Sequence, residues 1–334
     1  MFTRLEVKNF TVFNELALDL SPGINALIGV NGTGKTHLMK LLYCLMASGH
    51  KGTPIERKLN SVFRPSERQV SRLVRRIQGS SECSVKASWD GTEFEIKFSN
   101  KRNWKVEGQP PQFKGMPVYI PVKESLSFAP GFRSLYNKYD LEFEEIYYDI
   151  LELAYLPPTR GIKPQKLQSI LESISAAVRG TVELKGEQFF LKQRNSRLEI
   201  PLVAEGMRKL ALVWQLIQNG ALYNKSVLFW DEPEANLNPS MMPHLARILV
   251  DLQALGTQIF VATHNYAFLK ELELARKKTT KINYYALYFT GKQTSQEVSI
   301  NTFNQYIQIQ PNAIADEYLR IYDEELKRAL GGKA

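Results

Sequence analysis

An α/β fold with a mixed core sheet, an antiparallel β lobe and an inserted helical lobe is predicted by three observations. A glycine-rich loop, Gly29 to Thr36, joins a short apolar run to an apolar helical stretch. A second apolar run far along the chain, Val227 to Trp230, ends in two carboxylates. Between them, segments of two-residue alternation are followed by a long segment of helical periodicity. The spacing divides the chain into 1–125, 126–200 and 201–334.

In order, Phe2 to Leu20 alternates like two paired strands (Phe2, Leu5, Val7, Phe10, then Leu16, Leu18, Leu20). After Ser21-Pro22-Gly23, Ile24 to Ile28 is short and, but for Asn25, apolar, and reads as a buried strand. A helix is predicted from Lys35, with Leu38, Met39, Leu41, Leu42, Leu45 and Met46 nearly all round it, stopping at Ser48-Gly49. The next stretch is the most basic: Lys51, Arg57, Lys58, Arg64, Arg68, Arg72, Arg75 and Arg76 against Glu56 and Glu67. Ser66-Glu67-Arg68-Gln69 has the form of a capping box, and Val70, Leu73, Val74 and Ile77 make one stripe. A basic amphipathic helix over 66–78 is the prediction.

Residues 83–107 alternate as antiparallel strands about an Asp90-Gly91 turn. Val118 to Ile120 is a core strand stopped by Pro121, and 126–180 is helical with a break at Leu156-Pro157-Pro158. A hairpin around Gln193 to Arg197, a helix Glu205 to Gln218, the strand Val227 to Trp230 and a helix after Pro239 follow. The strand Gln258 to Ala262, strands 283–290 and 296–301 and a helix near 312–329 complete the pattern.

The composition, 44% hydrophobic and 23% charged, is that of a globular chain able to bury a core. No apolar run is long enough to cross a bilayer, and two cysteines, Cys44 and Cys83, make neither a disulfide framework nor a metal cluster. A cytoplasmic protein with no membrane partner is expected. The net charge of +9 suits contact with nucleic acid or an acidic partner, and equally a bland basic surface. No heptad run separates the motifs, which excludes a long coiled coil.

Gly29-Val30-Asn31-Gly32-Thr33-Gly34-Lys35-Thr36 is a complete Walker A pattern between a strand and a helix. Glycines let the backbone curl so that the N–H groups of Asn31, Gly32, Thr33 and Gly34 face phosphate, with the helix N-terminus favouring anions. Lys35 reaches the β- and γ-phosphates of ATP, and the Thr36 hydroxyl binds Mg²⁺. Val227 to Glu232 is the matching Walker B strand, with Asp231 holding Mg²⁺ and Glu232 polarising the attacking water as general base. One strand–helix–strand crossover later, Ile259 to Thr263 delivers His264 at a strand end, the place for a residue that senses the γ-phosphate. His37, His50 and His244 have no such context.

Lys8-Asn9-Phe10, GVNGTGKT, FWDEPEANLNP and ATHN together resemble ABC-type ATPases of the RecF, SMC and OLD group. Tyr119 to Glu124 with Ala129 to Phe132 resembles small ATPases found beside effector genes in bacterial anti-phage systems of the PARIS type. The resemblance implies a head-to-tail dimer, or a higher oligomer, that sandwiches ATP. Its signature segment is Val203 to Lys209, whose Ala204, Glu205, Gly206 and Arg208 would reach across the dimer. The group usually has Ser at Ala204, so rapid dimer-triggered hydrolysis is in doubt. Asn236 and Asn238 would be the other cross-dimer contacts, Asn9 and Phe10 would border the base or ribose, and Lys123 or Glu124 would stand in for the group's glutamine loop.

Two functions remain open. One is a switch ATPase controlling an effector protein encoded nearby. The other is a RecF-like ATPase acting on DNA, with Arg68, Arg72, Arg75 and Arg76 touching nucleic acid or a partner. A transporter subunit fits poorly, because Val203 to Lys209 is far from the transporter signature.

Overall fold

The computed structural model describes residues 1–76, 78–101, 105–139, 141–223, 225–291 and 297–330. Its centre is a six-stranded sheet in the order β13-β12-β3-β11-β10-β6. These are β3 (Ile24–Gly29), β6 (Pro117–Ile120), β10 (Val227–Asp231), β11 (Gln258–Thr263), β12 (Ile282–Thr290) and β13 (Glu297–Phe303). All neighbours run parallel except β13, which pairs antiparallel with β12 at one edge. The strands β3, β10 and β11 are buried along their whole length, which is why they read as mostly apolar runs.

Each face of this sheet has its own core. Ile24, Ala26 and Ile28, with Leu228 and Trp230, face α5 (Gln165–Val178), α6 (Glu205–Gln218), α7 (Met242–Ala254) and α8 (Tyr266–Leu274). Leu27, Phe229, Phe260 and Tyr285 face α1 (Lys35–Lys51) and a four-stranded antiparallel sheet, β2-β1-β4-β5. That sheet comprises β1 (Phe2–Phe10), β2 (Phe13–Asp19), β4 (Glu82–Trp89) and β5 (Thr92–Ser99). Asp90 and Gly91 both take positive φ (46° and 81°), as the tight turn between β4 and β5 requires.

The segment after β6 carries α3 (Phe132–Lys138), α4 (Glu145–Ala154) and α5, then a three-stranded sheet of β7 (Thr181–Lys185), β8 (Gln188–Lys192) and β9 (Arg197–Glu199). The expected single hairpin here is thus two turns, one at Gly186-Glu187 and one over 193–196. The lobe is tied to α1 and to α2 (Ile55–Phe63) by a partly buried ion cluster. Asp149 of α4 meets Lys58, Lys51 (2.8 Å) and the Tyr43 hydroxyl (2.6 Å), and Glu144 meets Lys40 (2.5 Å).

Three local expectations are corrected. First, α1 does not stop at Ser48-Gly49 but runs to Lys51 and ends on left-handed Gly52. Gly49 serves close approach instead: a Cβ there would lie 2.2 Å from the Pro111 carbonyl oxygen. Secondly, no α-helix occupies the described part of 66–78, and Ile77 lies outside the described residues. The α-helix is α2, upstream. Glu67 and Arg68 take positive φ (59° and 50°), which breaks the pattern after Pro65. Short turns follow, and Leu73 to Arg75 lies against the β1–β2 turn: Thr11 N–H donates to the Leu73 carbonyl (2.7 Å) and Arg75 N–H to that of Asn9 (2.9 Å). Val70, Leu73 and Val74 are buried as foreseen, but by this packing and not on a helix. Thirdly, Phe10 is fully buried in the β lobe, edge-on to Phe63 at 5.6 Å, so its ring has no face for a base or ribose.

Candidate functional site

The site lies at the carboxyl ends of the parallel strands, where open α/β sheets bind ligands. Because β11 sits between β3 and β10, the loop after β3, the acidic end of β10 and the histidine after β11 open on one edge.

The loop after β3 needs its glycines for space. A Cβ on Gly29 would come within 2.2 Å of the Leu287 carbonyl oxygen, and one on Gly34 within 2.6 Å of Phe13 and Val12. Gly32 and Gly34 also hold positive φ (84° and 88°), and Gly34 immediately precedes α1. Asn31 and Gly32 are exposed, whereas Thr33 is buried and its hydroxyl donates to the Val30 carbonyl (2.8 Å), bracing the loop. Lys35 is also buried. Its Nζ donates to the carbonyls of Gly29 (2.7 Å) and Val30 (3.0 Å), and burial pulls its pKa down against the nearby Asp231, Glu232 and Glu234. A buried ammonium at a helix N-terminus, within a loop of turned-in amides, is built to meet an anion.

Thr36 Oγ1 donates to Asp231 Oδ2 at 2.9 Å. Burial raises the Asp231 pKa, opposed by that hydrogen bond. These two hard oxygen donors, one neutral and one anionic, fit a Mg²⁺ ion that takes its remaining ligands from phosphate and water. Glu232 follows with φ of 44°, a strained value for a side-chain-bearing residue, while its N–H still pairs with Ala262 (2.9 Å). The strain turns its carboxylate to within 3.1 Å of His264 Nδ1. His264 is half exposed, at the end of β11.

Several site residues had no role assigned from sequence. Tyr119 of β6, wholly buried, points its hydroxyl at Asp231 Oδ2 (3.5 Å). Lys209 of α6 is fully buried and donates to the carbonyls of Ala235 (3.0 Å) and Glu232 (3.4 Å). Glu234 is buried, accepts a hydrogen bond from the Thr263 hydroxyl (2.6 Å), and has its other oxygen unpartnered. Burial pushes its pKa up to about 7. The available signal was a polar group inside an otherwise apolar run, visible at Tyr119; Lys209, next to Arg208, carried no such signal.

Of the expected cross-dimer residues, Ala204, Asn236 and Asn238 are exposed. Gly206 is buried, and a Cβ there would lie 2.5 Å from the Asn236 carbonyl oxygen, so the start of α6 packs backbone to backbone on the loop after β10. Glu205 is half-buried in the first turn of α6. Arg208 pairs with Glu124 within the chain (3.2 Å), which commits Glu124 and leaves Lys123 exposed. Asn238 caps the turn after it by accepting from Ser240 N–H (3.0 Å). The Asn9 amide donates to the Glu82 carbonyl (3.0 Å), so it too is engaged within the β lobe. The four arginines separate: Arg68 lines a groove of about 740 Å³ with Arg57, Arg64 and Lys138, while Arg72, Arg75 and Arg76 line another of about 610 Å³.

Fold and site together resemble those of ABC-type ATPases of the RecF/SMC group. Residues 1–103 match a family described as an AAA ATPase domain. Residues 123–270 match one described as AAA domain, putative AbiEii toxin, Type IV TA system. Among relatives, the DNA replication and repair protein RecF of Ligilactobacillus salivarius is 27% identical over 190 residues, 55% of this chain and 48% of RecF. That of Limosilactobacillus fermentum is 33% identical over 92 residues, 28% of this chain and 24% of RecF. The chain thus spans about half or less of the relatives it matches. A crystal structure of the SMC head bound to the C-terminal winged-helix domain of ScpA superposes with a TM-score of 0.56 at 13% identity, covering 92% of this chain and 99% of the other. At that identity it shows the fold alone. No described helix is long and apolar enough to cross a membrane.

Proposed function

We propose that the chain binds Mg·ATP, hydrolyses it under control of self-association, and uses the cycle to hold or release a partner effector protein in bacterial anti-phage defence. The carrying observation is the 2.9 Å contact between Thr36 and Asp231, with Lys35 on one side and the Glu232–His264 pair on the other. The effector role rests on the toxin–antitoxin description of the family matched by 123–270 and on the resemblance of Tyr119 to Phe132.

In this mechanism the amides of Asn31 to Gly34 bind phosphate, and Lys35 exchanges its loop carbonyls for phosphate oxygens. Mg²⁺ held by Thr36 and Asp231 supplies positive charge against the phosphates. Glu232 orients and deprotonates water, and its contact with His264 holds the carboxylate on the side of the γ-phosphate. Ala204, Glu205, Asn236 and Asn238 line the surface offered to a second copy. Gly206 and Arg208 act from behind it, through the loop after β10 and through Glu124. The site's residues suit the cytoplasm, where ATP is available.

The decisive experiment measures phosphate release and mass with and without ATP, for the wild type and Glu232→Gln. ATP-dependent release lost in the variant, with an ATP-dependent rise in its mass, supports the reading. Release that is unchanged in Glu232→Gln refutes it.

A second reading is a RecF-like ATPase acting on DNA. It is favoured by the RecF relatives and by the groove of Arg57, Arg64, Arg68 and Lys138, whose walls also carry Tyr136 and Tyr139. Duplex affinity falling steeply with salt would support it, and affinity that barely changes would remove it.

A further inference from the structure

The last helix, α9 (Ala313–Ala329), is the one described element that the fold leaves without a floor. Asn312 caps it by accepting from Ala315 N–H (3.1 Å), Ile314 anchors it, and Tyr318 stacks on Tyr266 at 4.7 Å. Beyond that first turn it stands in solvent: Leu319, Tyr322, Leu326 and Leu330 are 40–84% exposed. Helices in proteins draw most of their stability from packing an amphipathic face. Six large apolar residues, from Tyr318 to Leu330, would be a cost on a free surface.

The pattern names what covers it. Ala315, Leu319, Tyr322, Leu326 and Ala329 recur at alternating spacings of four and three, the seam of a two-helix coil. Beside this seam, on one flank, run Asp316, Arg320, Asp323 and Lys327, in which the sign alternates. In a parallel pair this flank would face the opposite one, Tyr318, Ile321, Glu325 and Arg328, which carries no matching alternation of charge. Reversed about a two-fold axis between Ile321 and Tyr322, it sets Asp316 against Lys327 and Arg320 against Asp323, each pair made twice. The same reversal drops Leu319 of one helix between Tyr322 and Leu326 of the other. Arg320 and Lys327 already touch Glu317 (2.6 Å) and Glu324 (3.2 Å) in their own helix, but such exposed pairs hold long side chains weakly and leave them able to turn outward.

We infer that α9 is a homodimerisation helix that pairs antiparallel with α9 of a second copy, independently of nucleotide. The interface is isologous and lies on an element other than those that carry Thr36, Asp231 and Glu232, so it is distinct from the ATP-dependent association proposed above.

The test is mass measurement of the full chain in nucleotide-free, Mg²⁺-free buffer at micromolar concentrations. Twice the 38.2 kDa chain mass is expected for the wild type, and the single mass for Leu319→Asp with Leu326→Asp. A monomeric wild type, or a double variant that stays dimeric, overturns the proposal. Asp316→Lys with Asp323→Lys, and separately Arg320→Glu with Lys327→Glu, should each be monomeric, and an equal mixture should restore the dimer. A mixture that stays monomeric overturns the charge match. For orientation, Leu319→Cys and Leu326→Cys proteins should cross-link when mixed and not alone, since Cys44 and Cys83 are buried. Cross-linking of each alone would mean parallel helices and overturn the antiparallel assignment. Since no arm uses ATP, failure here leaves the ATPase reading standing, and the reverse also holds.

Discussion

The Thr36 hydroxyl donates to the Asp231 carboxylate at 2.9 Å across 195 positions of sequence. The contact is made by two different devices. Thr36 is carried by the first turn of α1, placed by the glycines before it, and Asp231 by the end of a strand buried on both faces. Weakening either support should separate donor and acceptor before it unfolds the chain.

Glu232→Gln should keep ATP binding and lower turnover by about 10²-fold or more, the usual worth of a general base. Titration with a fluorescent nucleotide and a phosphate-release assay check the two halves separately. Near-normal release would remove Glu232 from the base role.

Lys35→Ala should act on binding itself. Losing charge-assisted hydrogen bonds of about 1.5–3 kcal/mol predicts a Kd for ATP raised roughly 10- to 100-fold. Calorimetric titration reads this directly, and an unchanged Kd would count against phosphate contact by Lys35.

Glu234 should make stability pH-dependent. Its folded pKa, about 7, lies above the ordinary 4.5, so the folded chain holds the proton more tightly than the unfolded chain. Stability from this group is therefore present at low pH and is lost as pH rises from about 4.5 to about 7. The whole effect is on the order of 3 kcal/mol. Glu234→Gln keeps an acceptor for Thr263 and should be more stable than wild type at pH 8 and level with it near pH 4.5. Parallel melting curves that never diverge would contradict the assignment.

Lys209→Met should leave the Ala235 carbonyl without its buried donor, while the Glu232 carbonyl keeps the Ala235 N–H. A loss of about 1–3 kcal/mol in denaturant unfolding is expected, with turnover falling while nucleotide affinity changes little. Affinity falling as much as turnover would place Lys209 with phosphate binding instead.

Phe10→Ala tests the corrected position of that ring. Removing a fully buried phenylalanine costs about 3–5 kcal/mol, and ATP affinity of the folded fraction should be unchanged.

What was legible in the sequence was what is written locally. The strand–loop–helix around Lys35, the strand ending in Asp231 and the helix Glu205–Gln218 each carry their own pattern, and they lie where the pattern puts them. What was hidden depended on partners distant in the chain. Val70, Leu73 and Val74 have helical spacing, yet left-handed Glu67 and Arg68 and the β1–β2 turn claim them first. Gly49 looks like a helix stop until Pro111 is seen pressed against it. Phe10 is out of step with Leu5 and Val7, and left-handed Asn9 (φ 49°) just before it breaks the alternation where the ring turns inward, which no local period announces.

The fully buried ammonium of Lys209 reaches the backbone beyond the acidic strand end from the helix that Ala204 precedes. That helix start is exposed, whereas the carbonyls Lys209 grips are part-buried beside the site. If Glu232 is the base proposed above, anything that leans on the outside of the molecule at Ala204 would push a rod whose tip bears on that residue's backbone, and turnover would become a readout of touch.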